Sequence, residues 1–246
     1  MEYVKNHLFG KTIVFDGDSI CHATSESNTD TNRGWAYRVG ERNGMKWYNY
    51  GISGGTVTAE MYYKDSEGIE RGRHWVSRSI DQIKEKHESV DYLIFEGGTN
   101  DADLLDIDSN RFGTLDPADF SGKYDDSTFT GALESLFYKS ISYYPEAKIG
   151  FIVAQKMGRP KCGYGPEYKR RYYFLRAIEV CKKWGVSYID LWEKSTINPS
   201  LKCHYDPELS VEENIAAGKP VMDGQHLTRV GYDMISPAIE EWIRGL

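Results

Sequence analysis

Five short apolar runs punctuate the chain: Lys11–Phe15, Trp47–Ile52, Tyr92–Glu96, Ile149–Ala154 and Val186–Leu191. Each is flanked by turn residues and none alternates cleanly between apolar and polar positions. Such runs suit strands covered on both faces. Between them, Trp35–Glu41, Val76–His87, Gly131–Tyr144 and Tyr168–Trp184 carry helical patterns. Val230–Ile243 also places apolar residues at helical spacing, with Pro237 as a kink or first-turn proline. Strands alternating with helices predict βαβ units, an α/β fold and a mostly parallel five-stranded sheet with right-handed crossovers.

Two stretches do not fit this rhythm, Ala102–Thr130 and Glu193–Met222. Both are long, polar and weakly periodic, and long loops in a compact domain usually carry function. With the polar run Thr24–Asn32, they are the candidate walls of a site at the carboxyl ends of the strands, where open α/β sheets bind ligands. There is no internal repeat and no Gly/Ser linker, so one domain over residues 1–246 is the simplest expectation.

Composition narrows the function classes. A formal charge of −7 over 246 residues argues against a general nucleic-acid binder. A local basic strip runs through Lys156, Arg159, Lys161, Lys169, Arg170 and Arg171 and reads as a solvated loop and helix start; a rim attracting an anionic substrate is the sharper alternative. No apolar stretch approaches a membrane helix, and the first residues lack the features of a signal peptide. A cytoplasmic location is the default expectation, although a secreted chain trimmed of its leader would read the same. Cys21, Cys162, Cys181 and Cys203 form no C-x-x-C pair, so neither a zinc knuckle nor a dithiol site is indicated.

Candidate chemistry comes from four short blocks. Gly17-Asp18-Ser19 ends the first apolar run and can present a serine hydroxyl at the rim of the sheet. A free hydroxyl is a poor nucleophile at neutral pH and needs a base. His226 has an acidic residue, Asp223, three positions earlier, at a spacing that lets the carboxylate orient one ring nitrogen while the other faces Ser19. Three donors at strand ends suit an oxyanion: the Ser19 N–H, the Gly54 N–H and the Asn100 side-chain amide. Either Gly54 or the adjoining Gly55 can take a left-handed turn there.

Phe15-Asp16-Gly17-Asp18-Ser19, Asn49-Tyr50-Gly51-Ile52-Ser53-Gly54, Gly98-Thr99-Asn100-Asp101 and Asp223-Gly224-Gln225-His226 together resemble the blocks of the SGNH hydrolases, or GDSL esterases/lipases. The blocks occur in family order across positions 15 to 226. The resemblance implies a flavodoxin-like three-layer α/β/α sandwich and metal-free, cofactor-free hydrolysis of an acyl ester through an acyl-enzyme. It also implies Ser19, His226 and Asp223 as catalytic residues, with Ser19, Gly54 and Asn100 forming the oxyanion hole. The polar loops favour a short acyl group, such as acetyl, on a small molecule or glycan.

Several residues have blander readings. Asp16, Asp18 and Asp101 are expected to hold loops through hydrogen bonds, while Cys21 and His22 are bystanders or pocket lining. Asp106-x-Asp108-x-Asn110 opens like a calcium loop, but Arg111 and Pro117 stand where glycine and a bidentate glutamate are needed. Two rival functions remain at this level. Asp16 and Asp18 also fit the nucleophile motif of magnesium-dependent, haloacid-dehalogenase-like phosphatases, but Asp125-Asp126, the acidic pair such a metal would need, lies in a loop without a preceding strand. The other rival is a non-catalytic module that binds a glycan or protein on the same fold.

Overall fold

A computed structural model describes residues 6–23, 34–158 and 167–246. The elements run β1 (Thr12–Asp16), α1 (Ser19–His22), α2 (Trp35–Asn43), β2 (Lys46–Asn49), β3 (Tyr62–Lys64), β4 (Glu70–Gly72) and α3 (Val76–Lys86). Next come β5 (Tyr92–Glu96), α4 (Thr99–Leu104), a 3-10 turn at Asn110–Phe112, α5 (Phe129–Tyr143), β6 (Lys148–Val153) and α6 (Glu167–Trp184). The chain closes with β7 (Ser187–Asp190), α7 (Leu191–Lys194), α8 (Val211–Ala216) and α9 (Arg229–Arg244).

Five strands form an all-parallel sheet in the order β2-β1-β5-β6-β7. Alternate residues of each strand feed two separate cores. Val14, Leu93, Phe95, Phe151 and Val153 pack with α3, α5 and α6 on one face. Ile13, Phe15, Ile94, Ile152 and Ile189 pack with α2 and α9 on the other. Both faces are covered, which is why these strands read as unbroken apolar runs. The result is a three-layer α/β/α sandwich whose sheet order is that of flavodoxin-like folds.

The edge strand is shorter than expected. β2 ends at Asn49, yet Tyr50 N and Ile52 N still donate to Phe15 O at 2.8 Å and Gly17 O at 3.0 Å. The backbone therefore follows β1 to the level of the first block before turning away. The antiparallel pair β3–β4 was not expected. It is exposed on both strands, so no buried face leaves a mark in the sequence. The Ala102–Thr130 stretch is partly ordered by local structure and by Arg111, whose guanidinium donates to Ser127 O at 2.9 Å and Ala59 O at 2.8 Å. Thr24–Asn32 lies wholly outside the described residues.

Pro237 lies inside α9 rather than in its first turn. The helix begins directly after the fourth block, capped by Thr228. A Cβ on Gly231 would lie 2.2 Å from Pro220 O and 3.0 Å from Leu227. Thr228 N also donates to Pro220 O at 3.0 Å, and Met222 N to His226 O at 3.0 Å, so the loop is closed tightly around this glycine. Gly231→Ala is expected to destabilise the protein by about 1–3 kcal/mol despite alanine's better helix propensity. A lowered urea midpoint with an unchanged slope checks this.

Candidate active site

The first block sits where β1 stops. Asp18 caps α1, its Oδ1 accepting from Ile20 N at 2.8 Å, and this sets Ser19 at the first helical position. Ser19 is largely buried, yet its Oγ lies 2.9 Å from His226 Nε2. His226 Nδ1 lies 2.6 Å from Asp223 Oδ2, and Asp223 Oδ1 accepts from Gln225 N at 2.9 Å and His226 N at 2.7 Å. A carboxylate opposite Nδ1 assigns the ring proton to that nitrogen and leaves Nε2 free to accept from Ser19.

Burial alone would lower the His226 pKa, but the hydrogen bond and charge of Asp223 outweigh it and hold it above the ordinary histidine value. Asp223 shows the reciprocal balance: burial would raise it, and His226 brings it below the ordinary value.

Gly54 and Asn100 flank the same turn. Gly54 adopts φ +77°, a left-handed conformation natural for glycine, and its carbonyl accepts from Arg73 Nη1 at 2.9 Å. Gly55 N donates to Ile52 O at 2.9 Å, while Gly55 O accepts from Asn100 Nδ2 at 2.8 Å. The backbone N–H groups of Ser19 and Gly54 have no acceptor among the described residues. Of the two adjoining glycines, Gly54 thus holds the spare donor. Asn100 Nδ2 also lies 3.4 Å from Asp18 Oδ2, next to the serine turn.

The supporting carboxylates divide by role. Asp101 is fully buried and accepts from Val57 N at 3.0 Å and Thr58 N at 2.9 Å, tying the third block to the chain just past Gly54. Asp16 is also fully buried. Its Oδ1 accepts from Gly17 N at 2.9 Å and His74 Nε2 at 2.7 Å, and its Oδ2 accepts from Ser79 Oγ. With both oxygens committed and no exposed face, Asp16 is not arranged to attack phosphorus. Cys21 is buried beside Asn49, and His22 is exposed.

Three features escaped the sequence reading. Glu96 ends β5 fully buried, with Oε2 accepting from Asp18 N at 3.3 Å. Burial pushes its carboxyl well above the usual range, and neighbouring Asp18 adds to the shift. A carboxylate closing an otherwise apolar run was the available signal. His74 is a second imidazole with an acidic partner, Asp16, far from it in sequence.

Arg170 overturns the picture of a solvated basic strip. It is 1 % exposed and paired with Asp103 through Nε–Oδ1 at 3.0 Å and Nη2–Oδ2 at 2.8 Å, and it donates to Gln225 Oε1 at 2.9 Å. Lys169 pairs with Asp106, Arg171 with Asp190 and Glu193, and Lys156 donates to Trp192 O. Arg159, Lys161 and Cys162 lie outside the described residues. A cleft of about 520 Å³, lined in part by Ser200, Lys202, Tyr205, Asp206 and Glu208, reaches Gly158, whose N–H donates to Gly224 O at 2.7 Å.

Comparison with known proteins decides the family. The model of the GDSL-like lipase/acylhydrolase family matches residues 15–234, a span containing all four blocks. The chain belongs to that family.

This acylhydrolase is therefore a carboxylic ester hydrolase. No curated protein matches its sequence. Solved structures share its fold at low identity. A protein from Lactobacillus plantarum is 18 % identical, with TM-score 0.70 over 97 % of this chain and 99 % of that one. A carbohydrate acetylesterase from Sinorhizobium meliloti is 15 % identical, with TM-score 0.62 over 96 % and 99 %. The aryl esterase of M. smegmatis is 14 % identical, with TM-score 0.63 over 96 % and 100 %. Among the described residues, no helix of the acylhydrolase is long and apolar enough to cross a membrane.

Proposed function

We propose that this acylhydrolase cleaves short-chain acyl oxygen esters, acetyl esters of a carbohydrate or similar polar alcohol foremost, through a Ser19 acyl-enzyme. The observation carrying the reading is the continuous path from Ser19 Oγ to His226 Nε2 at 2.9 Å and from Nδ1 to Asp223 at 2.6 Å. In this mechanism Ser19 Oγ bonds to the ester carbonyl carbon as its proton passes to His226 Nε2. Negative charge on the former carbonyl oxygen is met by the Ser19 and Gly54 N–H groups and the Asn100 amide. Collapse breaks the bond to the alcohol oxygen, which takes the proton back from His226. Water then repeats the sequence on the acyl-serine, and the carboxylic acid leaves.

The preference for a short acyl group on a polar alcohol rests on the polar loops; the cleft reaching Gly158 offers Ser200, Lys202, Asp206 and Glu208 as polar groups beside the apolar faces of Pro199, Tyr205 and Pro207. The carbohydrate acetylesterase from Sinorhizobium meliloti, similar in fold, points the same way. The test is active-serine labelling with a fluorophosphonate, mapped by peptide analysis, followed by p-nitrophenyl esters of rising chain length and an acetylated sugar. Labelling at Ser19 and the highest kcat/KM with acetyl are expected. Labelling elsewhere, or none on folded protein, overturns the serine mechanism; a preference for octanoate overturns the short-acyl assignment.

A further inference from the structure

We infer that Arg73 and His74 are positioning residues that set the Gly54 N–H against the reacting carbonyl, with Asp16 as the anchor of His74. The inference rests on the reading of Gly54 as an oxyanion donor. It starts from an asymmetry in the loop 52–56. Gly54 O is held by Arg73 Nη1 at 2.9 Å, Gly55 O by Asn100 Nδ2 at 2.8 Å, and Gly55 N by Ile52 O at 2.9 Å. Of the polar groups of the two glycines, the Gly54 N–H is the one with no acceptor among the described residues. Gly54 O and Gly55 N lie in one peptide plane, so these bonds hold the plane that follows the Gly54 Cα and limit how far the N–H on its other side can swing, which is what a preorganised donor requires.

The clamp is built on a backbone frame. Thr56 N donates to His74 O at 2.8 Å, Val76 N to Thr56 O at 2.9 Å, and Arg73 N to Met61 O at 2.8 Å. Residues 73–76 thus run beside the exit of the loop as a short parallel bridge, delivered there by the exposed β3–β4 pair. The His74 ring closes the frame from below. Its Nε2 donates to Asp16 Oδ1 at 2.7 Å, and its Cδ2 lies 3.2 Å from where a Gly55 Cβ would stand. Asp16 also holds Gly17 N at 2.9 Å and Ser79 Oγ. One buried carboxylate therefore links the end of β1, two residues before Asp18, to the residue bracing the glycine loop.

This second imidazole–carboxylate pair is not arranged as a second proton relay. Ser79 is buried and its hydroxyl is committed to Asp16 and to Val76 O at 2.8 Å. Its geometry serves orientation, so its loss should weaken transition-state binding more than substrate binding.

The experiment compares His74→Ala, His74→Gln and Arg73→Ala with the wild type and with Ser19→Ala, using p-nitrophenyl acetate and full pH profiles. For His74→Ala and Arg73→Ala, kcat is expected to fall about 10- to 100-fold, less than the ~10²–10³ for outright loss of an oxyanion donor, with KM changing less than about threefold. The acid limb of the profile should stay in place, because His226 keeps Asp223. His74→Gln retains an amide donor for Asp16 and should recover most of kcat. If His74→Ala does not fold, Arg73→Ala reads the same loop through a side chain that is partly exposed. A Ser19-dependent wild type whose kcat is changed less than twofold by either substitution overturns the positioning role alone. An acid limb that moves in His74→Ala overturns it in favour of proton transfer. Turnover that survives Ser19→Ala overturns the underlying reading together with this one.

Discussion

Ser19→Ala and His226→Ala are each expected to lower kcat for p-nitrophenyl acetate by about 10⁴–10⁶-fold, and the double variant is expected to be no worse than either single. In the proposed mechanism the two groups act on one proton: without Nε2 at 2.9 Å the hydroxyl is not activated, and without Oγ there is nothing to activate. Near-equal effects that do not add are the signature of such a unit. Additive losses would mean that the two side chains serve separate steps.

Asp223→Asn carries its own sign. An asparagine amide donating toward Nδ1 favours the tautomer with the proton on Nε2, which cannot accept from Ser19; a loss of about 10⁴-fold follows. The pH profile separates orientation from charge. In the proposed mechanism activity needs neutral His226, whose pKa lies above the ordinary value because Asp223 outweighs burial. The acid limb of kcat/KM should therefore fall above the unperturbed histidine value. In Asp223→Ala only burial remains of those two influences, and burial disfavours the imidazolium. The acid limb should move to lower pH while the plateau drops. Measuring kcat/KM from about pH 5 to 9 in both proteins checks the direction, and a limb moving upward would contradict it.

What the sequence reveals about this molecule follows the range of the interactions involved. β1 and β5 were legible because every residue of β5 is buried and most of β1, which leaves unbroken apolar runs. β2, at the edge, is half exposed, and its predicted end ran past the true one. Asp223 and His226 were legible as a pair because they are three residues apart, so local spacing carries their geometry. Asp16 and His74 are 58 residues apart, and Arg170 and Asp103 are 67 apart. No spacing rule joins such residues; the order of strands and helices does. For the same reason a row of cations in the sequence dissolved into separate pairs once α6 was packed against α4.

Among these long-range pairs, Arg170–Asp103 should give the largest loss of stability on truncation. Asp103→Ala leaves a guanidinium that is 1 % exposed with Gln225 Oε1 as its remaining partner among the described residues, while Nη1 already has none. Stranding a buried charge in this way is expected to cost about 3–5 kcal/mol, read as a drop in unfolding free energy by urea denaturation. A loss below about 1 kcal/mol would mean that water reaches the pair. Replacing both partners, as in Arg170→Met with Asp103→Leu, should restore most of the stability, since an apolar pair of similar volume needs no counter-charge. It should not restore turnover. Gln225 adjoins His226 and would lose the donor on its Oε1, and the Arg170 charge that opposes protonation of His226 would be gone. The acid limb of the double variant should then move to higher pH, opposite to Asp223→Ala. A double variant matching wild type in both stability and pH profile would make the pair a fastening of α4 to α6 and nothing more. A stable variant with the shifted limb would show that this fastening also tunes the base.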